Sequence, residues 1–276
     1  MHIFTDQHSH TLHSHAKDTV SAMAAAAFAK GLKVFGFSEH SPRPQDYNYP
    51  NDYRDRLSAE FPIFVTDVLA AKEQYKGRMD VLLGLEMDYI PAEEAFVRES
   101  VEAYPYEYVI GSVHFQGLWG FDCAATDWES LSETTRREMF IRYYRDQKRM
   151  AETGLFHIAG HPDLIKLFCK PSFTSWIQTL DAQNIVRETL AAFKANHMGM
   201  EVSSAAIRKG LGEPYPGPVI MQLAKEIDLP LVFGSDSHCV ADVAFGLDDL
   251  AAYAEQFGYT QSAFFSNRTM HMIPFA

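Results

Sequence analysis

Seven short apolar segments recur along the chain, and a longer stretch with helical character follows each of them. The segments lie at 2–6, 33–40, 79–88, 108–115, 155–163, 199–204 and 229–238. Regular alternation of strands and helices is typical of a parallel sheet that is covered by helices. The segments are almost continuously apolar, as strands are when both faces of their sheet are buried. The sequence therefore predicts an α/β fold.

The stretches between these strands predict the covering helices. A helix through 20–30 can be capped by Asp18 or Thr19, and Pro91 and Pro216 can each precede another helix. Further helices are expected within 53–76 and over 132–153, 181–197 and roughly 240–256. Each of the seven strands thus has a helical stretch behind it, as a repeated strand–helix unit requires.

A closed or nearly closed (βα) barrel is the first prediction for these seven units, and a doubly wound open sheet is the alternative. No G-x-G-x-x-G follows the first strand, so the usual dinucleotide-binding signature is missing. The 276 residues suit one large domain or two small ones. Because no repeat, low-complexity tract or linker divides the chain, we expect a single domain over 1–276.

Charge and cysteine content restrict the function. The net charge of −12 lacks the basic footprint of a nucleic-acid or membrane partner, so neither is expected. An anionic substrate would need local cations. The three cysteines, Cys123, Cys169 and Cys239, are widely spaced, which argues against a disulfide framework and a CxxC metal site. We expect a cytoplasmic protein, since the sequence shows neither a membrane span nor a signal peptide.

Metal-binding side chains recur at the carboxyl ends of the predicted strands. In chain order they are His8 and His10, Glu39 and His40, Glu86 and Asp88, His114, His161 and Asp163, Glu201, and Asp236 and His238. In a parallel barrel these ends converge on one face, where active sites lie. Imidazole and carboxylate together suit zinc, iron or manganese. No thiolate lies among them, so an open, hydrolytic site is expected rather than a closed structural one.

The ordered motifs of the chain resemble those of a known superfamily. They are "DQHSH" (6–10), "FSEHSPRP" (37–44), "LGLEMDY" (83–89), "GSVHF" (111–115), "GHPDLIK" (160–166), "AAIRKGLGEPYPG" (205–217) and "GSDSH" (234–238). The set resembles the polymerase and histidinol phosphatase (PHP) superfamily, and most closely its histidinol-phosphate phosphatase branch. The resemblance extends in order from residue 6 to about 250.

The resemblance implies a distorted (βα)7 TIM-like barrel with three divalent metal ions. By motif, the first ion would be bound by His8, His10, Glu86 and Asp236. Glu86 would bridge to a second ion that is also bound by His114 and His161, and a third would be bound by His15, His40 and His238. Two positions depart from the branch: "LHSHAK" replaces a Cys-Pro-His element, and Ser203 lies near an expected asparagine.

The same resemblance implies hydrolysis of a phosphate monoester, L-histidinol phosphate, in histidine biosynthesis. Arg208 is the predicted phosphate ligand because arginine can bind phosphate bidentately, and Lys166 and Arg43 are further candidates. Glu39 or Asp88 could meet the substrate's amino group. Glu86, Asp236, His238 and Arg208 form the predicted catalytic set, with His238 or Asp236 as candidates for protonating the leaving group.

Other functions remain open at this point. A PHP-type phosphoesterase could act on another monoester, a diester or a nucleotide. Metal-dependent amide hydrolysis on a similar barrel is disfavoured, because Glu86 takes the place of the bridging lysine typical of amidohydrolases. A non-catalytic metal-binding or regulatory module ranks last, since nearly all expected ligands are present. His13 is predicted to be a bystander and His157 to be structural. The oligomeric state is left open.

Overall fold

A mostly parallel sheet forms the centre of the protein, whose computed structural model describes residues 3–47 and 53–275. The strands are β1 (Thr5–Asp6), β2 (Val34–Phe37), β3 (Asp80–Asp88), β4 (Tyr108–Ser112), β5 (Phe115–Gln116), β6 (Trp119–Gly120), β7 (Ile158–Ala159), β8 (Gly199–Ser203), β9 (Leu231–Gly234), β10 (Gln261–Ser266) and β11 (Thr269–Pro274). Strands β5 and β6 form a separate small hairpin. The main sheet has the order β1-β2-β3-β4-β7-β8-β9-β10-β11. All neighbours in it pair in parallel except β10 and β11.

Helices connect these strands along the chain. They are α1 (Val20–Ala29), α2 (Tyr53–Tyr75), α3 (Glu94–Glu102), α4 (Ala125–Glu129), α5 (Glu133–Glu152), α6 (Lys170–Ile177), α7 (Leu180–Ala195), α8 (Ala205–Arg208), α9 (Pro218–Glu226) and α10 (Leu247–Glu255), with 3-10 turns at Pro91–Glu93, Leu164–Lys166 and Val240–Asp242. Thr19 caps α1 by accepting a hydrogen bond from the backbone N–H of Ala22 at 3.1 Å. Thr19 is one of the two N-cap residues predicted from the sequence.

Each of the seven predicted strands is present, although β1 and β7 have only two residues each. The prediction of an α/β fold with a mostly parallel sheet is confirmed. The first predicted strand began at residue 2, which lies outside the described residues. The predicted final helix at 240–256 is wrong in its first part, because a 3-10 turn over Val240–Asp242 precedes α10.

The hairpin of β10 and β11 was not predicted from the sequence. Its turn is formed by Asn267 and Arg268, whose φ angles are 50° and 59°. Two successive residues with positive φ are typical of the two-residue turn that matches the twist of a hairpin. Asn267 is the signal that could have indicated this turn, because asparagine tolerates that conformation better than most residues.

Both faces of the sheet are buried, in agreement with the apolar strands. The main core lies between the sheet and the helices, and a smaller cluster around Tyr108 lies on the opposite face. Tyr108 is fully buried and its hydroxyl donates to the backbone O of Gln7 at 2.8 Å. Its ring passes directly over Gly36 and Gly84, where an added Cβ would come within 2.7 Å or less of the phenol carbons. Both positions therefore need glycine.

The segments that follow β1 and β9 are also joined by backbone hydrogen bonds. His10 N donates to Ser237 O at 2.9 Å, and Ser237 N donates to His8 O at 3.3 Å. These bonds bring the two ends of the seven-strand set together at its carboxyl side. Because β10 continues the sheet beyond β9, closure into a full barrel stays a prediction. None of the helices in the described part of the chain has the length and apolarity needed to cross a membrane.

Candidate metal-dependent active site

The predicted ligands converge at the carboxyl ends of the strands, as parallel packing requires. Three overlapping groups have ligand atoms within 4.8 Å of one another: His8, Glu86 and His161; His8, His10 and Asp236; and His10, His40 and His238. These groups join residues from the ends of five different strands. Seven of the nine residues predicted to bind metal are in them, and His114 and His15 lie beside them.

Glu86 lies at the centre of the cluster. Its carboxylate oxygens lie 2.9 Å from Nε2 of His161 and 2.9 Å from Nδ1 of His40. Nε2 atoms of His8, His10 and His114 lie at 3.4, 3.5 and 3.7 Å. Burial alone would raise the pKa of Glu86, but electrostatic attraction by the surrounding imidazoles, first His8 and then His40 and His114, outweighs it and holds this pKa well below its usual range. The Glu86 carboxylate is thus ionised and able to bridge cations.

His8 and His114 are each oriented by a buried carboxylate behind them. Nδ1 of His8 lies 2.6 Å from Oε1 of Glu201, and Nδ1 of His114 contacts Oδ1 of Asp88. A carboxylate in this position fixes the imidazole tautomer, leaving the Nε2 lone pair for a metal. Glu201 also accepts the backbone N–H of His161 at 2.6 Å, so it positions two predicted ligands.

The chemistry of the donor set fits metal ions. Buried atoms without a hydrogen-bond partner in the described residues include Nε2 of His8, His10, His40 and His238, and Oε2 of Glu86. Burying a polar atom without a partner is costly, and the presence of several such atoms on residues of the three groups is explained by metal ligation. Desolvation and the neighbouring His10 lower the pKa of His238 to about 4, and the same two causes lower the pKa of His40 well below its usual range. These lowered pKa values favour the neutral form of both rings, which is the form that binds metal.

The third group differs from the expected composition. His40 and His238 group with His10 rather than with His15. His15 lies at the rim, with its ring centroid 4.9 Å from that of His40 and 4.5 Å from that of His238, and its Nδ1 is 2.9 Å from the Tyr53 hydroxyl. It is thus near the predicted third ion but is not oriented by a carboxylate, and its ligand role stays a prediction.

Asp236 and His161 are held in unusual backbone conformations. Their φ angles are 50° and 24°, in the region where non-glycine residues are uncommon. Such strain persists where the surroundings enforce it and clusters at functional sites. At Asp236 the enforcing group is Arg208, whose Nη2 donates to the backbone O of Ser235 at 2.6 Å and of Asp236 at 2.7 Å.

The predicted phosphate-binding cations are largely engaged by protein groups. Arg208 donates to the backbone carbonyls of Ser235 and Asp236, and it also pairs with Asp242 at 2.9 Å. Lys166 is fully buried and its Nζ lies 2.7 Å from Asp163 and 2.9 Å from Glu213.

Two other predicted substrate contacts also meet protein groups. Arg43 pairs with Asp88 at 2.5 Å. Glu39 is fully buried behind His10, and accepts the backbone N–H of Thr11 at 2.9 Å and of His40 at 3.2 Å. These contacts point to positioning roles.

Sequence reasoning missed three contributors. Glu201 was seen at a strand end but was not assigned to the site. Asp6 is buried and binds the β9 loop through the N–H and hydroxyl of Ser235, at 2.9 and 2.6 Å. Lys209 was not assigned to the site from the sequence, yet its Nζ lies 3.7 Å from Asp236. The signal for Glu201 and Asp6 was an acid within or directly after a buried strand.

His13 lies apart from the cluster. Its two ring nitrogens face Glu60 at 2.9 Å and Asp67 at 3.1 Å, both on α2. His157 accepts the backbone N–H of Val109 at 3.0 Å, near the opposite end of the sheet. Both residues therefore lie outside the cluster of predicted metal ligands.

Comparisons with known proteins agree with this geometry. The model of the PHP domain family matches residues 6–205. A Deinococcus radiodurans protein named probable histidinol-phosphatase is 34% identical over 250 residues, or 88% of this chain and 90% of that protein. The histidinol-phosphatase of Bacillus subtilis is 27% identical and covers 84% of this chain and 92% of its own length.

Solved structures show the same fold. The crystal structure of a candidate histidinol phosphatase from Listeria monocytogenes has a TM-score of 0.79 and 25% identity, covering 89% of this chain and 99% of that one. The histidinol phosphate phosphatase of Lactococcus lactis, solved with zinc, L-histidinol and phosphate, has a TM-score of 0.70 and 17% identity, over 97% of this chain and 98% of that one. The chain described here belongs to the PHP domain family.

Proposed function

We propose that this protein is a metal-dependent phosphatase that converts L-histidinol phosphate to L-histidinol and phosphate, a step of histidine biosynthesis in the cytoplasm. The observation that carries the proposal is the Glu86 carboxylate, with ring nitrogens of five histidines within 3.7 Å. The substrate is supported by the relatives from Deinococcus radiodurans and Bacillus subtilis, whose names specify histidinol-phosphatase activity.

We propose that three divalent ions, of zinc, iron or manganese, are bound by the residues that the motifs indicated. His8, His10, Glu86 and Asp236 would bind the first, Glu86, His114 and His161 the second, and His40, His238 and His15 the third. Bound ions of this kind lower the pKa of water to near neutrality and neutralise charge on phosphoryl oxygens. Zinc is further supported by its presence in the Lactococcus lactis enzyme.

The contacts around the cluster support separate roles for two neighbouring cations, Lys209 and Arg208. Lys209, whose side chain is 40% exposed beside Asp236, is able to meet a substrate phosphate at the mouth of the site. Arg208 binds the carbonyls of Ser235 and Asp236 and so keeps the Asp236 carboxylate directed at the first metal position. We therefore propose Lys209 as a phosphate contact and Arg208 as a positioning residue, in place of the phosphate-ligand role first predicted for Arg208.

Hydrogen bonding and charge argue against both candidates for protonating the leaving group, His238 and Asp236. Nδ1 of His238 lies 2.9 Å from the backbone O of Asp236, so its N–H points there and Nε2 presents a lone pair. Burial alone would raise the pKa of Asp236, but electrostatic attraction by His8 and by Lys209 holds it well below its usual range. Both groups are therefore suited to metal ligation rather than to proton donation.

A phosphate-release screen with metal analysis of the same sample tests the proposal. The panel contains L-histidinol phosphate, other phosphate monoesters, a phosphodiester and nucleotides. We expect L-histidinol phosphate to give the highest kcat/KM, with activity lost on chelation and restored by added zinc, iron or manganese. Turnover confined to diesters or nucleotides would refute the substrate, and full activity in metal-free protein would refute the mechanism.

A further inference from the structure

A second cavity lies outside the metal cluster, between α5 and the segments that follow β3 and β4. Its volume is about 500 Å³, within the range of small-molecule sites. Tyr47, Tyr89 and Phe115 contribute aromatic walls, and one face of α5 contributes Arg142, Arg145, Asp146 and Arg149. None of the nine predicted metal ligands lines it, so it is distinct from the proposed catalytic site.

Asp146 is the feature of this cavity that most needs an explanation. The residue is 6% exposed, and its carboxylate accepts no hydrogen bond from the described residues. Its one ion-pair contact there is Nε of Arg142 at 3.8 Å, too long for a hydrogen bond. Buried carboxylates normally have close partners, and one without them that lines a cavity is suited to a cationic ligand group.

Two further arginines of α5, Arg145 and Arg149, line the cavity near this acid. Arg145 and Arg149 are exposed and form no ion pair or side-chain hydrogen bond with the described part of the chain. They are separated by one turn of α5, so both guanidinium groups reach the same side of the helix. In a chain of net charge −12, such a pair is a local attraction for an anion, and arginine binds carboxylates bidentately.

We propose that this cavity binds a free α-amino acid with a planar side chain. Arg145 and Arg149 bind its carboxylate, Asp146 binds its ammonium group, and its ring packs among Tyr47, Tyr89 and Phe115. One zwitterion thereby satisfies the acid and both arginines, and a simple anion or a simple amine leaves one side unpaired. Two of its aromatic walls, Tyr89 and Phe115, directly follow Asp88 and His114 of the proposed catalytic site in the chain.

Calorimetric titration of the zinc-loaded protein tests this proposal. The three probes are L-phenylalanine, 3-phenylpropionate and phenethylamine, and inorganic phosphate is left out because the arginines of the cavity could bind it as well. We expect L-phenylalanine to bind with one site per chain and about tenfold more tightly than either probe that lacks a charged group, since each charge-assisted hydrogen bond contributes at about this level. Equal affinity for 3-phenylpropionate, or no saturable binding of L-phenylalanine, would overturn the proposal.

Three variants locate the site. Arg145→Gln/Arg149→Gln should weaken binding of L-phenylalanine and 3-phenylpropionate about tenfold or more. Asp146→Asn should remove the advantage of L-phenylalanine over 3-phenylpropionate. Lys148→Gln is the matched control, because Lys148 lies on the same helix but pairs with Glu188 at 3.0 Å, and its affinities should equal those of the wild type. Wild-type affinities in the two cavity variants would place the ligand elsewhere and refute this proposal. The result does not depend on the outcome of the substrate screen for the proposed function.

Discussion

Replacing Glu201 by glutamine tests whether the residues behind the ligands control the metal cluster. Glu201 is 1% exposed, and its two oxygens lie 2.6 Å from Nδ1 of His8 and 2.6 Å from the backbone N of His161. Both partners present N–H groups. Glutamine preserves the size of the side chain but has one acceptor oxygen, so its NH2 group must face one of the two donors.

The expected loss follows from this mismatch. Removing the partner of a metal-binding histidine typically lowers metal affinity or activity 10- to 100-fold, or about 1.4–2.7 kcal/mol. We expect Glu201→Gln to weaken zinc binding within this range and to lower kcat/KM in parallel. The tautomer and ring orientation of His8 are no longer fixed, and the backbone of His161 loses its acceptor.

Zinc affinity is measured by competition with a chromophoric chelator, and kcat/KM by phosphate release. The matched control is Glu107→Gln: Glu107 is also buried, accepts the Leu83 N–H at 3.1 Å and pairs with Lys72 at 2.7 Å, but precedes β4 at the other end of the sheet. The control should leave zinc affinity unchanged. If Glu201→Gln binds zinc within twofold of the wild type, the reasoning about the oriented imidazole is wrong.

Three further changes probe other parts of the structure. Lys209→Gln should raise KM several-fold with a smaller effect on kcat, because it removes a charge near the phosphate position; an unchanged KM in steady-state assays would argue against that contact. His157→Gln should make stability less sensitive to acid. Burial, followed by the nearby Arg268, lowers the pKa of His157 to about 4, so below pH 6.5 the unfolded chain gains a proton that the folded one does not. Between pH 7 and 5 this linkage lowers the unfolding free energy of the wild type by up to about 2 kcal/mol. The prediction would be contradicted if urea denaturation at the two pH values showed the same loss of unfolding free energy in both proteins. Gly36→Ala should destabilise the fold by about 1–3 kcal/mol, because the new methyl would overlap the Tyr108 ring; an unchanged midpoint of urea unfolding would show that the ring can move away.

The sequence by itself determined the order of the strand–helix units and the residues at the strand ends. Both are local properties: apolar runs, helix caps and turn residues act within a few positions of one another. Because parallel strands bring their carboxyl ends to one face, the convergence of His8, Glu86, His161 and Asp236 could also be inferred. The hairpin after residue 260 was missed because Asn267-Arg268 is a weaker turn signal than asparagine-glycine.

The tertiary structure alone decided which partners these residues have. Arg208 reads in the sequence as a free cation, yet it meets the carbonyls of Ser235 and Asp236. Glu201 meets a histidine that lies 193 positions earlier in the chain. Such pairings depend on strand register and on how the loops cross the end of the sheet. Periodicity gives only the face on which a side chain lies, because contacts between distant segments are fixed by the packing of the whole chain.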